Sequence, residues 1–322
     1  MKRPPLLAWL TAAWLVWTGT SRAGETPPAE AARQPPAGDT AKDEAAKAEE
    51  PKFIRVRRND EKQPVAMETA VVHYVPAAAG KTGLVVDLVG AVHVGDKAYY
   101  DQLNKLFESY DVVLYELVAP EGTRVPKEGR KGGNAHPIGA MQNGMSAMLE
   151  LEHQLDRVDY TKENFVHADM SPEEFNKSMQ DRGESFMQMF FRLMGQGMAQ
   201  QAAAQQNGGG TSDFDLLLAL FSKDRALKLK TAMAVQFENL DDQMMIFDGP
   251  GGSTIITERN RRAFEVLDKQ IKDGKKKIAV FYGAGHLPDM EKRLAADFGL
   301  KRAGEKWLVA WSLEKAKQGD GK

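Results

Sequence analysis

Gly90-Ala-Val-His93-Val-Gly95 closes a nearly unbroken apolar run over residues 83–92, and Gly283-Ala-Gly-His286-Leu287 closes a second over residues 277–282. Runs of this length, dense in β-branched side chains and bounded by glycine, read as strands buried on both faces. The pattern on the carboxyl side of each histidine repeats as well. After His93, Asp96 stands where a helix cap belongs, and Tyr99, Leu103, Leu106, Phe107 and Tyr110 recur at helical spacing before residues 111–118 return to strand character. After His286, Met290, Leu294 and Phe298 mark a helix face, and residues 307–313 a strand. The chain holds two copies of one plan: strand, Gly-x-x-His, helix, strand. The expected fold class is therefore α/β, with a central sheet built from two related βαβ units and a helical insertion between them. In such sheets ligands bind beyond the carboxyl ends of the strands, where both histidines fall. Gly90, Gly283 and Gly285 are expected to let the backbone turn tightly and leave room beside each imidazole.

Outward from this frame, folded sequence is expected from near Phe53, with a further strand over residues 70–75 and a single domain over residues 51–318. Residues 24–50 are mostly Pro, Ala, Glu and Lys, too poor in large apolar side chains to offset chain entropy, and read as a disordered spacer. Lys2 and Arg3, the uncharged apolar run over residues 6–17 and Ser21-Arg22-Ala23 read as a signal peptide over residues 1–23, cut after Ala23. Left uncut, it would be an anchor, and the only contact with a membrane. Among 322 residues there is no cysteine, which excludes disulfides, thiol nucleophiles, zinc-thiolate sites and a lipid-bearing cysteine. An exported protein of this size can rely on its core instead, so a periplasmic or secreted location is expected. The net charge of −2 supplies no basic field, and no nucleic-acid partner is expected. Oligomeric state is left open.

The insertion, over about residues 140–250, reads as mainly helical. Ser171-Pro172-Glu173-Glu174 combines a capping serine, a proline at the first helical position and a glutamate three residues after the cap. The helix it opens is expected to run on through the Met and Phe residues between Met179 and Met198, a stripe that reads as core, with an apolar lid or a dimer contact as the alternatives. Residues 200–210 read as a loop and residues 213–239 as another helical segment. After Pro250-Gly251-Gly252, residues 257–271 carry Ala263, Phe264, Leu267 and Ile271 on one helix face.

Several side chains could carry chemistry. Glu116 ends the strand after the first helix, among apolar neighbours where an unpaired carboxylate would be costly; a metal, an arginine or a histidine would serve it. Two neutral imidazoles, His93 and His286, with Glu116 make a normal donor set for a divalent transition metal. Arg259 could hold a substrate carboxylate or steady Glu116, and Glu258 could act as a second ligand or base. His167 and Asp169 share one face of an extended segment and are further candidates. Each has a plain structural counterpart: a histidine after a strand is often just hydrogen bonded, a strand-end glutamate can reach solvent, and residues 258–262 can be a solvated helix start. His73, His136 and His153 have no supporting context. No serine nucleophile elbow, phosphate loop or His-Glu-x-x-His helix occurs.

Gly-Ala-Val-His-Val-Gly from Gly90, Val-Val-Leu-Tyr-Glu-Leu from Val112, Glu-Arg-Asn from Glu258 and Gly-Ala-Gly-His-Leu from Gly283, in that order, resemble the TraB, GumN and TIKI pattern. The resemblance implies a fold related to the erythromycin esterase and ChaN haem-binding proteins, with His93, His286 and Glu116 in one cleft. It further implies metal-dependent peptidase activity on a peptide or protein substrate, with manganese or cobalt, or else zinc, as the divalent ion. In that expectation His93, His286 and Glu116 form the metal site, Glu116 is also catalytic, Arg259 and Asn260 orient substrate, and Glu258 assists. ChaN-like relatives imply the alternative of a binding or regulatory protein that holds haem, a metal or a signalling peptide without cleaving it. The long Met- and Gln-rich insertion departs from a minimal member of the family.

Overall fold

The computed structural model of the chain describes residues 52–78, 83–123, 125, 149–185, 224–238 and 251–315. The expected leader, spacer, His136, the 200–210 loop and most of the Met-rich stripe lie outside them. Phe53 opens the folded part fully buried. Strands β1 (Ile54–Arg58), β2 (Pro64–Pro76) and β3 (Val85–Ala91) are followed by the two-residue β4 (Val94–Gly95), helix α1 (Lys97–Phe107) and β5 (Val112–Tyr115). Next come β6 (Glu152–His153), α2 (Gln154–Arg157), β7 (Phe165–His167), α3 (Pro172–Asp181) and α4 (Arg225–Phe237). A π-helical turn (Thr254–Glu258) leads into α5 (Arg259–Lys272), and β8 (Lys277–Gly283), a 3-10 turn (Ala284–His286), α6 (Leu287–Phe298) and β9 (Leu300–Ser312) complete the described chain. Among the described residues no helix is long and apolar enough to cross a membrane.

The class is mixed α/β. A seven-stranded sheet runs β1-β2-β3-β8-β5-β7, with β9 also on β2. Its centre, β3-β8-β5-β7, is parallel. β2 runs antiparallel to β1, β3 and β9, with β9 along one whole edge and β1 and β3 sharing the other. Both expected crossovers are present, but neither joins neighbouring strands. β3-α1-β5 passes over β8, whereas β8-α6-β9 passes the opposite way over β3 and β2. Right-handed connections of opposite sense must use opposite faces. Accordingly Phe107 of α1 packs on Phe281 from one face, with ring centroids 4.8 Å apart. On the other face a Cβ added at Gly90 would meet the Leu287 side chain of α6 at 3.4 Å.

The described part of the insertion holds the helices α2, α3 and α4, together with two strands that the sequence reading did not include. Residues 165–167 form β7, which joins the central sheet beside β5, and β6 pairs antiparallel with β4. The capping box at Ser171 is complete, its hydroxyl accepting from the Glu174 N–H and the Glu174 carboxylate accepting from the Ser171 N–H. The helix does not run on as expected: it ends at Asp181, where the Arg182 N–H turns back to Gln180 and Ser178 carbonyls. Asp96 precedes α1 as expected but does not cap it. Its carboxylate instead accepts from Lys230 of α4 and from the Ser312 N–H, tying helix, strand and loop together.

Candidate functional site

The four parallel strands end nearly level, Ala91 beside Gly283 and Tyr115 beside both Phe281 and His167. Each delivers one polar side chain just beyond its carboxyl end: His93 after β3, His286 after β8, Glu116 after β5 and Asp169 after β7. β3 and β8 are adjacent strands whose following helices depart in opposite directions, so a crevice opens between them. The π-helical turn lies at the start of α5, whose first two residues, Arg259 and Asn260, are both buried at this end of the sheet.

The Arg259 guanidinium binds the Asp169 carboxylate in a two-pronged contact, Nε at 3.0 Å and a terminal nitrogen at 2.6 Å, and that same nitrogen donates to Glu116 Oε1 at 2.7 Å. The fork geometry of arginine suits this, and a lysine could not reproduce it. The other Glu116 oxygen accepts from the Gly283 N–H at 2.6 Å. A Cβ on Gly283 would stand 3.2 Å from that oxygen, so glycine is needed for close approach rather than for a left-handed turn. The same holds at Gly90, where a Cβ would meet the Ala70 carbonyl at 3.2 Å. Burial alone would raise the pKa of Glu116, but Arg259, the two histidines and the Gly283 N–H outweigh it and hold the carboxyl well below its ordinary range. One guanidinium between two carboxylates leaves the group a net negative charge.

His286 is fixed from both sides. Asn260 donates its amide N–H to the His286 carbonyl at 3.1 Å and to Asp289 at 2.8 Å, so its amide oxygen is what faces His286 Nδ1 at 2.7 Å. An oxygen there requires Nδ1–H, which leaves Nε2 bare in the neutral ring. Burial, opposed by Glu116, pushes the His286 pKa down to about 4, so the ring is neutral near pH 7. Its bare Nε2 faces Glu116 Oε1 at 3.6 Å. Two acceptors thus confront each other in a buried crevice, an arrangement that calls for a cation or a proton donor between them.

His93 shares this field: burial lowers its pKa, Glu116 opposes and Arg259 reinforces that shift, and its charge is felt at His286. Among the described residues no group of three His, Asp or Glu side chains is already arranged to hold a metal ion. Glu258 is not brought into the group; its carboxylate is held by Arg261 at 3.0 Å and Arg182 at 3.5 Å. Of the His167 and Asp169 pair, only Asp169 takes part, while His167 Nε2 is bonded to the Leu117 carbonyl. Two residues escaped the sequence reading: Asp289, which braces Asn260, and Gln154, whose N–H donates to the His93 carbonyl at 2.9 Å. Asp289 follows the second Gly-x-x-His by three residues, a proximity that could have flagged it; no spacing flags Gln154. Neither a family model, a curated protein nor a solved structure matched this chain.

Proposed function

We propose that the crevice between β3 and β8 binds a divalent metal ion through His286 and Glu116, with His93 beside them, and that the chain is an exported metal-dependent hydrolase of the TraB, GumN and TIKI kind acting on peptides. The observation that carries this reading is the bare His286 Nε2 facing the ionised Glu116 Oε1 at 3.6 Å. An imidazole and a carboxylate are donors suited to manganese, cobalt or zinc, and the net negative charge of the group favours a cation. With a pKa of about 4, His286 is a weak proton acceptor at neutral pH but a competent ligand, since a ligand must be unprotonated. When bound, a divalent ion supplies Lewis-acid chemistry, polarising a carbonyl oxygen. The chain's own residues do the rest: Asn260 keeps Nδ1 protonated and Nε2 turned to the crevice, Arg259 locks Glu116 to Asp169, and Gly283 fixes the second Glu116 oxygen. Ligands at the ends of rigid parallel strands are held more accurately than ligands on loops.

The test is the melting temperature of the full chain in chelator and in manganese, cobalt or zinc. A ligand at about a hundred times its dissociation constant stabilises by roughly 2.7 kcal/mol. We expect an ion-specific rise that His286→Ala abolishes; no rise with any ion overturns the reading. One observation favours a second reading, a protein that holds its ligand without cleaving it. Glu116 Oε1 is shared with Arg259 and is the oxygen turned to the proposed ion, and Oε2 accepts from the Gly283 N–H, so the carboxylate that would hold the ion is not also placed as a general base. A peptide library cut by the metal-loaded wild type and spared by Glu116→Ala decides for hydrolysis; binding without cleavage decides for the second reading.

A further inference from the structure

His286 opens α6, and the first turn of that helix reaches back to the residue that holds its ring. Asp289 stands in this turn, where a carboxylate suits the positive end of a helix, and Arg293 follows it by four residues, donating from Nε to Asp289 Oδ2 at 2.6 Å. Helix chemistry alone accounts for that pair. It does not account for a third member: the same Oδ2 also accepts from the Asn260 side-chain amide at 2.8 Å, across from the start of α5. Asn260 is fully buried, and its other amide proton goes to the His286 carbonyl at 3.1 Å. With both protons committed, the amide has only its oxygen left for the imidazole, 2.7 Å from Nδ1. Arg293 carries a further anchor, a terminal nitrogen that donates to the Thr257 carbonyl of the π-helical turn at 3.3 Å. The carboxylate is thereby pinned over Asn260. The side chains of Asp289 and Arg293 stay 24 and 20 % exposed, so this chain of bonds meets water at one end and is sealed at the imidazole.

We propose that Asp289, pinned by Arg293, is a positioning residue for His286 that acts through Asn260, as a relay from carboxylate through carboxamide to imidazole. An amide whose N–H faces a carboxylate is polarised and its oxygen becomes a stronger acceptor, each bond in such a chain strengthening the next by roughly 10–30 %. Asn260 then draws harder on Nδ1–H. The electron density left at Nε2 rises, which makes that nitrogen the better ligand for a cation. Asn260 and the His286 carbonyl are enough to choose the tautomer; what Asp289 adds is charge. A neutral side chain at position 289 would leave the ring turned the same way but binding more weakly. Loss of a partner behind a histidine ligand costs roughly 10–100-fold in metal affinity. The use of Nε2 rests on the metal reading above; the relay at Nδ1 does not.

The experiment is proton and nitrogen NMR of the full chain, labelled with 15N in its histidine rings and kept in chelator near neutral pH, followed by titration with manganese. Wild type should show His286 with a protonated Nδ1, its proton far downfield, and a bare Nε2. Asp289→Asn keeps an acceptor oxygen for Asn260 and removes only the charge. In that variant Nε2 should stay bare, the Nδ1 proton should move upfield, and manganese should bind about tenfold more weakly. Ser171→Ala, which weakens a helix cap outside the relay, separates this from general loosening: its Nδ1 proton should stay in place, and a shift of equal size there overturns the proposal. An Nδ1 proton unmoved in folded Asp289→Asn also overturns it. Should that variant fail to fold, Arg293→Met decides instead: it frees the carboxylate to turn to water, so the proton should again move upfield, and an unchanged position counts against the relay in the same way. Absence of manganese binding by wild type would sink the metal reading and leave the proton shift to judge the relay.

Discussion

At the residue scale, the account turns on Arg259 and His286. Arg259 is buried between Glu116 and Asp169, so removing it strands two carboxylates in the interior. Breaking a buried ion pair by deleting one partner costs about 3–5 kcal/mol, and Arg259→Met should lose that much in a urea denaturation series. Arg259→Lys should recover little, since an ammonium cannot make the fork. The depressed pKa of His286 predicts a pH dependence in the metal-free protein. The unfolded chain takes up the proton below its ordinary value of 6.5, the folded chain only at about 4, so stability is full above 6.5 and drains away as pH falls toward 4. That window is worth on the order of 3 kcal/mol, about 1.4 kcal/mol for each pH unit. Denaturant midpoints of wild type should therefore fall between pH 6.5 and 4, and those of His286→Asn should fall less; equal slopes would remove the histidine from the account. Glu116, whose pKa is also lowered, contributes its loss only below its ordinary value of 4.5. The motifs made His93, His286, Glu116, Arg259 and Asn260 legible. The choice of Asp169 over His167 was not, because both lie on the same short stretch and only the arrival of β7 beside β5 decides which one meets Arg259.

At the scale of elements, close approach does the work that conformational freedom was expected to do. Gly90 lets the 3-10 turn and α6 settle against β3, where any side chain would press on the Ala70 carbonyl, Leu287 and Ala284. Gly90→Ala should cost about 1–3 kcal/mol through overpacking and loosen His286, read as a lowered melting temperature together with weakened manganese stabilisation. The capping box at Ser171 is simpler: Ser171→Ala should cost about 1 kcal/mol and leave metal binding unchanged. The strand cores were legible from apolar density, but the extensions were not. β2 begins at Pro64, and its early part carries Glu68, which reads as non-strand until Arg55 and Arg57 of β1 are seen to pair with it at 2.7 and 2.8 Å. β9 begins at Leu300, and its first half, Lys-Arg-Ala-Gly-Glu-Lys after the leucine, is polar because it lies at the margin of the sheet. β7 is three residues long, too short for any periodicity to declare it.

For the whole molecule, the repeated plan correctly placed two histidines after strands but not the path of the strands beyond them. Whether β5 and β9 neighbour their partners depends on long-range pairing, which local pattern does not encode, and it is this wider spacing that makes β3 and β8 adjacent. Their adjacency, with connections leaving in opposite directions, creates the crevice and brings the two Gly-x-x-His turns to one end of the sheet. The central claim is that a divalent cation sits there on histidine nitrogen. The most direct test is electron spin echo modulation of manganese added to the full chain with 15N-labelled histidine. The account predicts a 15N modulation from a coordinated imidazole that disappears in His286→Ala. Manganese that binds without histidine modulation, or modulation that survives in His286→Ala, would contradict it.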